Sequence, residues 1–337
     1  MLSACFSTLF PSAVPTSMMN SLSTSSVSLL ILGAGWTGTF LLPHLKTHHP
    51  VVTFAATTRD GRDGTIQWTW DSEAKGPDQF KGLPRAETVL VVFPIKGEGG
   101  SRRLVEGYEE AVGVKVRWIQ LGSTGIFDGG PTLAGRRAAG EDFSSSPPFK
   151  WTDRHSPYDT SNARAVAEDE LLSLHEETYV LNLSGLWGGS RIPTNWISKV
   201  APTYEALEAK GSIHLIHGED VARAIVAVHL SSPRSTSTEK STSTMQDEKP
   251  HPKGERFILT DLRVYDWWDL VAAYATTSSA LSETPEAAFW VQRLIRKHHI
   301  RALPRTPEEI GRALDSRDFW ERFELMPSRG RFDPGRA

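Results

Sequence analysis

Gly33-Ala34-Gly35-Trp36-Thr37-Gly38 follows directly on the apolar run Ser26-Val27-Ser28-Leu29-Leu30-Ile31-Leu32. A G-x-G-x-x-G hexapeptide between a buried strand and a helix has a physical reading. Gly33 permits a tight turn, Gly35 lets the backbone approach a pyrophosphate, and Gly38 lets the helix pack closely on the strand. The loop delivers an anion to the helix N-terminus, where Trp36 and Thr37 present free backbone N–H groups. The competing reading is a glycine-rich turn with no ligand. Pro43 lies inside the following helix and removes a hydrogen bond, so a short or kinked helix is expected there.

Working outward, apolar runs at 27–32, 51–56, 88–93, 116–121 and 179–183 are short, rich in β-branched or aromatic residues, and bounded by Gly, Pro or charge. That is the pattern of parallel strands buried on both faces. Helical periodicity separates them at 35–46, 101–112 and 161–175, where Ala163, Val166, Ala167, Leu171 and Leu174 share a face. The alternation predicts an α/β fold, a doubly wound parallel sheet of Rossmann type, with a small C-terminal substrate lobe. Residues 26–230 form the nucleotide-binding domain, with part of the lobe from about 189–215. Residues 231–255, almost without large apolar side chains, read as a disordered insertion. Residues 256–326 complete the domain and lobe with a strand at 257–260 and helices at 265–275 and 285–297, and 327–337 reads as a frayed tail.

The 337 residues are 39% hydrophobic, enough for a sizeable core, and the net charge of −3 points to neither nucleic acid nor a membrane surface as partner. Cys5 is the single cysteine, which excludes an intrachain disulfide and favours a reducing, cytoplasmic setting. Residues 1–25 carry no charged side chain, so they fit a disordered extension or an upstream start, with Met18 and Met19 as alternatives. A mitochondrial address is the lesser alternative, because such segments are Arg-rich. No run approaches the roughly 20 apolar residues of a membrane span. The pairs His48–His49 and His298–His299 lack the spacing of metal ligands, and no metal is expected. Asn182-Leu183-Ser184 is a glycosylation sequon placed in a strand expected to be buried.

The end of the second strand bears on cofactor choice. NAD sites usually place an acidic residue there to hold the ribose hydroxyls. Here the chain reads Thr57-Thr58-Arg59-Asp60. A hydroxyl at Thr58 beside the planar guanidinium of Arg59 suits a 2′-phosphate, which favours NADP over NAD. Asp60 is the competitor, and a solvated turn is the plain alternative.

Four segments in order carry a family resemblance: Gly33 to Gly38; Leu121-Gly122-Ser123-Thr124-Gly125-Ile126-Phe127; Leu181-Asn182-Leu183-Ser184-Gly185-Leu186-Trp187-Gly188; and Ile216-His217-Gly218-Glu219-Asp220-Val221-Ala222. Together they resemble the atypical and extended short-chain dehydrogenase/reductases, the NAD-dependent epimerase/dehydratase group, over about residues 27–230. The resemblance implies that Phe93 and Pro94 lie against the cofactor and Asp71 beside the adenine. It also implies that Ser123 takes the catalytic Ser/Thr position. The family's Tyr and Lys, four residues apart on one helix, do not match cleanly. Aligning on Tyr158 puts Asn162 at the Lys position. Aligning on Ala167-Glu168 puts Arg164 there and Thr160 at the Tyr position, and this second register keeps the helix continuous. Arg164 can then bind ribose but is no proton relay. Tyr158 is either a displaced catalytic acid or a structural aromatic at the helix entry.

The resemblance implies an NADP-dependent oxidoreductase or epimerase acting on a small carbonyl or hydroxyl substrate with altered catalytic residues. The alternative is a non-catalytic NADP-binding sensor or scaffold. Trp196, Trp267 and Trp268 either line a substrate pocket or pack the lobe. Oligomeric state, substrate and pathway stay open.

Overall fold

A computed structural model describes residues 26–127, 151–232, 253–274 and 286–332. The expected extension at 1–25, with Met18 and Met19, and the central part of the 231–255 insertion lie outside the described residues.

The central sheet has seven parallel strands: β1 (Val27–Leu32), β2 (Phe54–Thr58), β3 (Ile66–Gln67), β4 (Ala86–Val91), β5 (Arg117–Ser123), β6 (Thr178–Leu183) and β10 (Glu255–Leu259). Their spatial order is β10-β6-β5-β4-β1-β2-β3. The direction of winding reverses between β1 and β4, and Leu29 to Leu32 stand in register with Thr88 to Val91. In open α/β sheets such a reversal opens a crevice at the carboxyl ends of the strands.

Both sheet faces are covered, which is why the strands read as continuous apolar runs. On one face, α1 (Gly35–His48), α6 (Gly218–Leu230) and α10 (Arg317–Arg322) bury Leu41, Leu45, Val221, Ile225 and Phe319 against Leu29 and Ile31. On the other, α2 (Gly100–Val112) and α3 (Ala163–Leu174) bury Leu104, Tyr108, Ala167 and Leu171 against Leu30, Leu32 and Val89. A third cluster forms the lobe, built on β7 (Gly185–Trp187), α4 (Ile197–Val200), α5 (Tyr204–Glu208), β8 (Ser212–Ile213), β9 (Leu215–His217), α7 (Trp267–Tyr274) and α8 (Ala287–Lys297), and the short α9 (Pro307–Ile310) follows in the chain. Trp267 and Trp268 are buried in it and Trp196 packs against it, so these tryptophans pack the lobe. Among the described residues, no helix is long and apolar enough to cross a membrane.

Several expectations need correction. Helix α1 runs through Pro43 to His48 instead of stopping short. Pro43 and Thr39 are both exposed, so water can satisfy the Thr39 carbonyl that proline leaves unpaired. Strand β2 begins at Phe54 and not at Val51, because Val51 is 87% exposed and the Val52 amide closes a turn onto the His49 carbonyl. The tail is docked, not frayed, from Pro327 to Phe332. Asp220 accepts from the backbone of Ser328 and Arg329, the Phe332 amide donates to the Tyr265 hydroxyl, and the Phe332 ring is buried. Asn182 is fully buried and its amide donates to Glu168, so the sequon is inaccessible in the folded chain.

His214 ties this C-terminal part to the sheet side, its Nε2 accepting from the Leu314 amide at 3.0 Å. Burial pushes its pKa down to about 3, with Arg312 adding to the effect. The unfolded chain therefore binds a proton below about pH 6.5 that the folded chain refuses, and this contribution to stability is lost as pH falls from 6.5 toward 3. Asp261, pushed up to about 7 by burial, acts in the opposite sense, so the test is a difference. In urea unfolding across about pH 5–7, the parent should lose stability faster than His214→Gln, approaching about 1.4 kcal/mol per pH unit. Parallel pH profiles would remove His214 from this role.

Candidate functional site

Two clefts open along the glycine loop and the carboxyl ends of the strands. The larger, of about 780 Å³, is lined by Gly33, Gly35, the β2 end at Thr58, Arg59 and Asp60, then Arg62, Trp68, Thr69, Trp70 and Phe93. The smaller, of about 190 Å³, lies between Trp36 and Thr37 on α1, Leu121, Gly122 and Ser123 on β5, Arg164 on α3, and the stretch from Leu183 to Arg191.

The glycine loop is built as its sequence requires. Gly33 sits at φ +75° and its amide donates to the Thr57 hydroxyl at 2.8 Å. A Cβ there would lie 2.9 Å from the Phe93 ring, too close for any side chain. Gly35 is also left-handed, at φ +47°, but a Cβ there would meet nothing within 4 Å. The space above Gly35 is open and belongs to the larger cleft. At Gly38 a Cβ would come within 2.7 Å of Ala34 Cβ, so the third glycine serves the close start of α1. The first turn of α1 holds no acidic residue, which leaves the helix N-terminus receptive to an anion. Trp36 reaches away from the loop and its indole N–H donates to the Gly188 carbonyl at 3.1 Å.

At the end of β2 the two expected phosphate contacts part company. Thr58 is buried, and its hydroxyl lies 2.6 Å from that of Thr65, which in turn donates to the Arg62 carbonyl. Thr65 has one proton and a carbonyl only accepts, so the Thr58 proton is engaged by Thr65 and is not free for a phosphate. Arg59 is exposed, lines the cleft and pairs with no acidic residue among those described. Asp60 pairs with Arg62 at 3.2 Å, and Arg62 also reaches Asp63 at 3.9 Å. Both partners of the Asp60–Arg62 pair are exposed to water.

Asp71 is placed differently from expectation. It lines neither cleft, and its carboxylate accepts from the Glu73 amide at 2.9 Å, closing a local turn. Trp68 and Trp70 line the cleft in its place, Trp68 anchored by its indole N–H on the Gln79 carbonyl. Phe93 faces the cleft as expected, whereas Pro94 is exposed and lines neither.

In the smaller cleft, Ser123 and Arg164 come together as the second register implies. The Ser123 oxygen accepts from the Gly125 amide at 3.1 Å, which leaves its proton available to another acceptor. Asn162 caps α3 by accepting from the Arg164 amide, so it takes no part in a catalytic pair. Tyr158 lines neither cleft. Its hydroxyl donates to Asp169 at 2.8 Å, the Arg256 guanidinium lies over its ring at 4.5 Å, and burial raises its pKa. These contacts fit the second alternative, a structural aromatic at the helix entry.

Beneath Gly122 and Ser123 lies Glu168, fully buried and held by the Asn182 amide at 2.8 Å and Arg256 at 3.3 Å. Burial pushes its carboxyl up, with Arg256 opposing. A Cβ on Gly122 would sit 2.6 Å from the carboxylate, so this glycine is required by the floor of the cleft. Arg62, Trp68, Trp70, Ser184 and Arg191 were not singled out by sequence reasoning. A basic residue in the turn after Arg59 and the tryptophan pair after β3 were signals that could have been read.

No protein-family model matches the chain, and no curated protein matches it. Solved structures similar in fold include one described as an NAD-dependent epimerase/dehydratase from Methylobacillus flagellatus, with 14% identity, a TM-score of 0.52, and 90% of this chain and 95% of that one covered. Another is UDP-N-acetylglucosamine 4-epimerase from Bacillus cereus, with 10% identity, a TM-score of 0.50, and coverage of 90% and 94%. The chain therefore has the Rossmann-type fold of those proteins over nearly their full length, as its motifs led us to expect.

Proposed function

We propose that this chain, with the Rossmann fold of the NAD-dependent epimerase/dehydratase structures, is an atypical short-chain dehydrogenase/reductase that binds NADP(H) and reduces a small carbonyl substrate. The observation that carries the reading is the open space over left-handed Gly35 beside an acid-free helix N-terminus, continuous with the unpaired cation Arg59. Gly33, Gly35 and the amides of Trp36 and Thr37 would hold the pyrophosphate, Arg59 the 2′-phosphate, and Trp68, Trp70 and Phe93 the adenosine side. Arg62, shared with Asp60 and Asp63, contributes less.

When bound, the nicotinamide supplies the hydride. The protein's own contribution is electrophilic. The free Ser123 proton and the Arg164 guanidinium can hydrogen-bond a carbonyl oxygen as negative charge grows on it. Neither a hydroxyl nor a guanidinium is a useful base near neutral pH. Such a pair suits carbonyl reduction better than alcohol oxidation, with water as the final proton source.

Charge-assisted contacts to a phosphate are worth about 1.5–3 kcal/mol, roughly a tenfold to hundredfold preference. Calorimetric titration should show NADP binding tighter than NAD by that margin, and Arg59→Ala should erase the difference. Equal affinities in the parent would reject the NADP assignment. With NADPH and a substrate found by screening carbonyl compounds, Ser123→Ala should lower turnover by about 10²-fold or more at unchanged cofactor affinity. Tyr158→Phe should leave turnover intact. A second reading, cofactor binding without turnover, is favoured by one observation: among the described residues lining the smaller cleft, only Arg164 and Arg191 are ionisable. Tight NADP binding with every carbonyl refused would select it.

A further inference from the structure

The smaller cleft carries more positive charge than the proposed chemistry needs. Two guanidinium groups, Arg164 and Arg191, line this one cleft of about 190 Å³. No carboxylate among the described residues lines it. Among the described residues neither arginine forms an ion pair; Glu168 acts on Arg164 only from beneath the floor. Arg164 donates weakly to the Leu121 carbonyl at 3.4 Å, and Arg191 lies over the Trp36 ring at 4.5 Å. Ser184, in the wall of the same cleft and only 6% exposed, has a buried hydroxyl oxygen with no hydrogen-bond partner among the described residues. The two guanidinium groups keep access to water, with Arg191 exposed, so they stand ready for an anion, and the buried Ser184 hydroxyl is the one polar group of the three left without a partner.

The backbone explains how Arg191 is delivered. Gly188 and Arg191 exchange both backbone hydrogen bonds in a tight turn, and Gly188, at φ +108°, also accepts from the Trp36 indole. A Cβ on Gly188 would come within 2.4 Å of His217, so glycine is required there. The turn, Trp36 and the start of α1 thus form one unit that holds a cation over the cleft.

We infer that this cleft is an anion clamp, and that the substrate of the proposed reductase is a small organic carboxylate. Arg191 and one edge of the Arg164 guanidinium hold its carboxylate, with Ser184 in the wall beside them, while the other edge of Arg164 and Ser123 remain for the carbonyl oxygen. A fork of two guanidinium groups matches a planar carboxylate. The inference rests on the proposed reading, but its test separates the two.

Malonate serves as the probe, titrated into the full-length protein with and without saturating NADP, and followed by calorimetry. Chloride at matched ionic strength is the control. The expected result is saturable one-to-one binding in the presence of NADP. Arg191→Gln should weaken malonate at least tenfold with NADP affinity changed less than threefold, and Ser184→Ala should weaken it to a smaller degree. Arg191→Lys should recover part of the loss, which a purely structural role would not predict. Malonate binding that NADP abolishes would assign the arginines to the cofactor's pyrophosphate and overturn the inference. Inorganic phosphate binding more tightly than malonate would overturn the carboxylate class. No saturable malonate binding in either condition would overturn the clamp. Failure of NADP to bind, with malonate binding still lost in Arg191→Gln, would reject the proposed function and leave the clamp standing.

Discussion

Replacing Gly35 by valine should abolish NADP binding while leaving a folded protein. The two glycines of the loop make the test sharp because their surroundings differ. At Gly35 an added side chain meets nothing within 4 Å, so the free protein bears only the left-handed backbone strain, about 1–2 kcal/mol. The isopropyl group would then stand in the cleft where phosphate oxygens must approach the amides. Affinity should fall by more than about a hundredfold, the equivalent of roughly 3 kcal/mol. At Gly33 the Cβ would sit 2.9 Å from the Phe93 ring, so Gly33→Ala should lower the thermal midpoint as well as affinity. Calorimetric titration and thermal unfolding of both variants separate these outcomes. Normal cofactor affinity in Gly35→Val would make the loop a turn and nothing more.

Arg305→Met should be the most destabilising single change in the lobe, by about 3–5 kcal/mol. Arg305 and Asp266 are both fully buried, and the pair is bidentate, with Nε to Oδ2 at 3.0 Å and Nη2 to Oδ1 at 2.6 Å. Asp266 also accepts from the amides of Arg305 and Trp268, and the guanidinium lies 3.6 Å from the Trp268 ring centre. Removing the cation leaves a carboxylate in the interior with no opposing charge, and that is where the cost arises. The double change Asp266→Asn with Arg305→Met should recover a good part of it, because the uncompensated charge is gone. Urea unfolding provides the measurement. A single-variant loss below about 1 kcal/mol would mean that water reaches the pair, as at a surface ion pair.

The sheet was legible because each βαβ unit advertises itself locally: β1 occupies the residues its apolar run marked, and β4, β5, β6 and β10 lie within two residues of theirs. The glycine loop was legible for the same reason. What failed depends on contacts made far along the chain. Thr58 looked like a phosphate donor, but seven residues on the chain turns at Gly61 and brings Thr65 back to take its proton. Tyr158 looked catalytic by its distance from the expected Lys position. Its environment is set by Arg256, on a strand that the sequence places beyond the insertion, and that guanidinium lies over its ring. Arg191 carries no local signature at all. Its place over Trp36 follows from the Gly188 turn, which joins the glycine loop across 152 residues of chain. Periodicity reports which face of an element is buried, and it is silent about which distant side chain completes a site.

Solving the structure of the full-length chain with NADP bound tests the central claim most directly. Pyrophosphate oxygens should lie about 2.7–3.2 Å from backbone amides of the Gly35 to Thr37 turn, with the 2′-phosphate on Arg59 and the adenosine between Trp70 and Phe93. A nucleotide bound elsewhere, or a glycine loop still open at saturating NADP, would contradict it.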